Sequence, residues 1–154
     1  MRNFQKQALT PNRLRAAGRE RLDDAKCLLA SEDRSRCNGA MYLAGFAIEC
    51  QLKALLLERH KNLAVRSILP TLSESDRSVR RLLYNHELDE MLDYLPEVQE
   101  KIVEIFGMEQ WVRFQGICAQ WTVLARYSTY RPTRVEASGF IDDIQEVLKW
   151  VTHL

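Results

Sequence analysis

Hydrophobic positions along this chain repeat at helical spacing, and no segment alternates apolar and polar residues as a half-buried strand does. Residues 1–9 read as a loose polar arm, so a single domain is expected over 10–154. Thr10-Pro11 has the chemistry of a helix start, with Thr as N-cap and Pro in the first turn. Leu14, Ala17, Leu22, Ala25, Leu28 and Leu29 then predict a helix to about Ser31, with Arg13, Arg15, Arg19 and Lys26 mostly solvated. The polar stretch SEDRSRCNG is a turn, and a second helix is predicted from about Ser35 to His60.

Within that second helix, Asn38 to Glu58 is apolar nearly all the way round, which predicts a central core helix. Its two internal charges, Glu49 and Lys53, stand at i and i+4 and share a face. Burying a charge is costly unless it has a partner. Three uses follow: an intrahelical pair reaching the basic region near Arg126, a polar pocket between helices, or a face that meets a second subunit.

Residues 61–74 lack a period and contain Pro70, which predicts a loop. A short helix is predicted over Ser75 to Tyr84. Asn85 is placed to cap a further helix whose buried stripe is Leu88, Met91, Leu92 and Leu95, and Pro96 opens another as far as about Phe106. A long helix is predicted from about Glu109 to Tyr127, carrying Trp111, Phe114, Ile117, Trp121 and Leu124. A last one, about Val135 to Val151, buries Phe140, Ile144, Val147, Leu148 and Val151. The expected fold class is all-α: an up-down four-helix bundle with one or two additional short helices.

Composition agrees with a packed helical domain. The chain has 154 residues, 46% of them hydrophobic, with few Gly and Pro. The net charge of +1 gives no global sign of nucleic-acid binding. The longest clean apolar run, Ala40 to Ile48, is far shorter than the roughly 20 residues of a membrane span, and the N-terminus lacks a signal-peptide core. Cys27, Cys37, Cys50 and Cys118 form no CxxC pair and have no histidine at ligand spacing. They are expected to be buried free thiols in a reducing, cytoplasmic compartment, with no metal or cofactor.

Charge changes the picture locally. From Glu87 to Glu109 Lys101 is the only base, whereas Gln110 to Arg134 contains no acid but holds Arg113, Arg126, Arg131 and Arg134. Either the two segments attract each other, or the late arginines form a small anion site suited to phosphate. His60 and His153 fall at helix C-termini, where a positive end is favourable. His86 opens a helix five residues after Arg81. A histidine can move a proton at a ribose hydroxyl and an arginine can hold a phosphate, so Arg81 and His86 are candidate catalytic residues of a metal-free ribonuclease. The alternative is that His86 caps or packs at a helix junction.

The segment AMYLAGFAIECQLKALL resembles the second-helix signature of HEPN domains (higher eukaryotes and prokaryotes nucleotide-binding). His86-Glu87-Leu88 followed by Met91-Leu92 is similar to that family's "HDL..LL" segment, and Trp121 followed by Arg126-Tyr127 to its late W....RY. These ordered matches span roughly residues 38–130. The resemblance implies a compact helical bundle of the small stand-alone bacterial or archaeal type, often a homodimer. It also implies a link to nucleotides or RNA and a nucleotidyltransferase partner in a toxin–antitoxin or defence pair. Ribonuclease members carry a late Arg…His motif, but here RYSTYRPTR has no such histidine, and Arg81 is followed by Leu82 where the family has a polar residue. The positions that carry over are Glu49, Lys53, His86, Arg126 and Tyr127. With Tyr130 and Arg131 beside them, nucleotide or phosphate binding is expected at Arg126, Tyr127, Tyr130, Arg131, Glu49 and Lys53. Three functions are therefore weighed: nucleotide, RNA or partner binding without strong catalysis; a metal-independent ribonuclease toxin; and a non-catalytic dimerisation module.

Overall fold

The computed structural model describes residues 9–31, 33–64, 74–121 and 127–152, and every regular element among them is helical. In chain order these are α1 (Pro11–Ala30), a 3-10 turn (Arg34–Arg36), α2 (Cys37–Arg59), the single turn α3 (Lys61–Ala64), α4 (Glu74–Leu83), α5 (Leu88–Asp93), α6 (Pro96–Phe106), α7 (Met108–Gln120) and α8 (Arg134–Thr152).

Local chemistry accounts for several boundaries. Thr10 caps α1 by accepting from the Arg13 N–H, with Pro11 at the first helical position. Pro96 opens α6 in the same way. Gly107 joins α6 to α7 at φ 95°, a left-handed conformation that favours glycine, and its N–H closes α6 on the carbonyls of Ile102 and Val103. Thr133 and Glu136 start α8 as a reciprocal capping box: Thr133 Oγ1 accepts from the Glu136 N–H, and Glu136 Oε2 accepts from the Thr133 N–H.

The central helix is α2. It lies along α1 and also meets α8, α5 and α4, and the unbroken run from Ala47 to Ala54, which covers every face of the helix, is buried. Being surrounded explains why α2 has no polar stripe. By length and composition Arg34–Arg59 also reaches the hydropathy of a membrane span, contrary to the expectation that no segment does; 72% of its 18-residue apolar window is buried inside the protein, as in a core helix.

Three predicted boundaries move. Residues 61–64 form a turn of helix instead of loop. Asn85 does not cap α5; its Oδ1 accepts the N–H groups of His86 and Glu87, forming a turn ahead of the helix. The helix expected to reach Tyr127 stops at Gln120, and Trp121 turns to an extended backbone. The reason lies in α2. The Trp121 indole fills a notch at Gly45, stacks on Tyr42 at 5.8 Å and donates from Nε1 to the Tyr42 carbonyl at 3.2 Å. Burying this ring outweighs another turn of helix. Leu124 and Arg126 lie outside the described residues.

Candidate functional site

Glu49 is the most deeply buried charge described, with Lys53 one turn further along α2; they are 1% and 6% exposed. Lys53 Nζ donates to Glu49 Oε1 at 2.6 Å. The ring of His86 covers the other side of the carboxylate, its Nδ1 3.0 and 3.1 Å from the two Glu49 oxygens. A carboxylate can only accept, so Nδ1 carries the proton that bridges this contact. In the neutral imidazole the lone pair then belongs to Nε2. The His86 side chain is 34% exposed, which makes it the cluster's opening to solvent. The Asn85 turn sets the backbone from which the ring reaches α2.

Arg81 does not join this cluster. Its guanidinium is exposed and faces Glu90 at 3.5 Å. Glu49 and Lys53 reach His86, and Arg126, the partner first considered for them, lies outside the described residues. Arg113 also departs from expectation: it bonds Asp143 on α8 instead of the acidic segment before it. His60 ends α2 as anticipated, with Nδ1 2.9 Å from Asp76. Trp111 and Trp121 are core residues, while Tyr42 is half-buried.

A second group of candidates gathers ahead of α8. Tyr130 donates its hydroxyl proton to Glu136 Oε1 at 2.8 Å, so the capping box also anchors this ring. That bond raises the Tyr130 hydroxyl above the ordinary phenol pKa, while donation from Thr133 lowers Glu136. The positive charge of Arg34, in the 3-10 turn, favours the ionised form of both groups. Tyr127 and Tyr130 are 76% and 59% exposed. Arg131 and Arg134 are exposed beside them, and neither they nor Arg34 make an ion pair among the described residues. Sequence reasoning missed Arg34 and Glu136. Glu136 was readable from the T-x-x-E capping pattern, whereas Arg34 is brought in only by the fold.

The cysteines divide. Cys37, Cys50 and Cys118 are buried, and Cys27 is exposed, which corrects the expectation of four buried thiols. Burial pushes the Cys50 thiol up to about 11 and raises Cys118 as well, so both are poor nucleophiles at neutral pH. Among the described residues no three His, Cys, Asp or Glu side chains gather as a metal set.

Comparison with family models, with curated proteins and with solved structures returns no match.

Proposed function

We propose that this chain is a HEPN-type protein, an up-down four-helix bundle with short accessory helices, that binds a nucleotide or single-stranded RNA along the edge formed by Arg34, Tyr127, Tyr130, Arg131 and Arg134. The observation that carries this reading is the placing of exposed tyrosine rings beside arginines that have no ion-pair partner among the described residues. Aromatic faces stack on bases of any sequence, and guanidinium groups hold phosphate oxygens by paired hydrogen bonds. Tyr130 is held in place by Glu136, so little ordering is required of it on binding. The HEPN resemblance gains support from Glu49, Lys53 and His86, signature positions from two distant segments that meet in one cluster. On the same reading the protein is a cytoplasmic homodimer working with a nucleotidyltransferase partner in a toxin–antitoxin or defence pair.

The test is a fluorescence-anisotropy titration with ATP and with labelled oligouridine at several salt concentrations. Three arginine–phosphate contacts give a slope of about −2 in log K against log salt for a single strand. Arg131→Ala with Arg134→Ala should remove most of that slope. Absence of binding to both probes, or a double variant that binds like wild type, ends the proposal.

A ribonuclease reading is favoured by one observation, the Glu49 carboxylate behind the partly exposed His86 ring, which suits a positioned general base. Among the described residues no arginine bonds to that cluster, and Arg81 faces Glu90. Overexpression discriminates: a His86→Ala protein as toxic as wild type removes this alternative.

A further inference from the structure

We propose that the outer face of α7 is the surface on which two copies of this chain meet, antiparallel about a two-fold axis at Val112. It rests on the homodimer reading given above and assigns that dimer its contact face. One side of α7 buries Trp111, Phe114, Ile117 and Cys118 against the rest of the chain. The other side carries Met108 and Val112, one turn apart, and Ile105 precedes them across the Gly107 junction. Each of these three side chains is more than half exposed. The same side continues through Gln115 and Ala119, both exposed, with Gly116 at its margin. A helix with one buried face ordinarily turns polar residues outward, so an outward apolar row marks a contact surface.

Gly116 is an independent observation. Glycine inside a helix is less favourable than alanine, yet a Cβ built at Gly116 meets nothing within 4 Å among the described residues. Packing within one copy does not require the missing side chain, whereas the close approach of a second helix does. The row is also graded in size, with Ile105 and Met108 before Val112 and Gly116 and Ala119 after it. A two-fold contact sets residue i against j and j against i. With Val112 on the axis, Met108 enters the space at Gly116 of the partner subunit, and Ile105 lies over Ala119 of the partner subunit. Glu109 then faces Gln115 of the partner subunit, whose amide can donate to the carboxylate. A parallel pair instead sets Met108 on Met108 and Glu109 against Glu109, and aligns the two helix dipoles unfavourably. The helix is only about 20 Å long. The contact is therefore at the small end of specific interfaces, and the dimer is reversible.

Analytical ultracentrifugation of the full chain over a concentration series, together with disulfide trapping, tests the assignment. Wild type should pass from monomer to dimer as concentration rises. Val112→Glu brings two carboxylates together on the axis and should weaken the dimer by about a hundredfold or more. Gly116→Leu fills the space kept for Met108 and should weaken it comparably. The dilute Gly116→Leu monomer should melt no lower than wild type, because the position is open and leucine is the better helix former. Cys27→Ser first removes the exposed native thiol. In that background Met108→Cys and Gly116→Cys should form a disulfide when mixed, and neither should do so alone. A wild type that stays monomeric to about 1 mM overturns this face and the homodimer reading together. A wild-type dimer that survives both Val112→Glu and Gly116→Leu overturns the face and leaves the homodimer reading standing. So do cysteine variants that couple to themselves as readily as to each other.

Discussion

Removing one charge of the Glu49–Lys53 pair should harm this protein more than removing both. The two groups are 1% and 6% exposed and 2.6 Å apart, so each is compensated chiefly by the other. Glu49→Leu leaves the Lys53 ammonium buried without a partner and also takes the acceptor from His86 Nδ1. Breaking a buried pair in this way costs about 3–5 kcal/mol. Lys53→Met should cost less, because Glu49 keeps the contact with His86. The double variant Glu49→Leu/Lys53→Met replaces two desolvated charges by apolar groups of similar volume, a change that ranges from neutral to stabilising. Its stability is therefore expected near or above wild type, limited by the acceptor His86 loses. For a domain of this size the loss in Glu49→Leu corresponds to a fall in melting temperature of roughly 10 °C. Equilibrium urea unfolding of the four proteins measures the cycle, with the slope m checking that all of them unfold as one unit. If Glu49→Leu falls within about 0.5 kcal/mol of wild type, the size of an ordinary surface change, the charges are not jointly buried. If the double variant is no better than Glu49→Leu, their mutual compensation is not what holds them there.

Gly45→Ala tests the Trp121 notch. Helix propensity alone favours alanine by about 1 kcal/mol, yet the added Cβ would lie 1.9 Å from Trp121 Cδ1 and 2.0 Å from Nε1. Displacing the indole and its bond to Tyr42 should cost about 3 kcal/mol net and change the near-ultraviolet circular dichroism; a variant as stable as wild type refutes the packing. Cys27 should be the only thiol to react quickly with an aromatic disulfide reagent in the native protein at pH 8, because Cys37, Cys50 and Cys118 are buried. Substituting Cys27→Ser should abolish that fast phase, and a fast phase that survives would show another thiol open to solvent.

Much of the helical framework is written locally. Thr10-Pro11, Pro96 and the apolar stripes of α1, α6 and α8 act through neighbours three or four residues away, so their helices are legible without the fold. The apolar circumference of residues 38–58 likewise announces that this helix is surrounded. What surrounds it is a matter of packing. No local pattern tells that His86 crosses to Glu49 over 37 positions, or that Arg113 turns to Asp143 and Arg81 to Glu90. Nor does helical spacing reveal that the backbone turns extended at Trp121, whose ring fills the space beside Gly45. A helix forms through hydrogen bonds within one segment, whereas a charge finds its partner and a ring its cavity only after segments distant in the chain have been brought together.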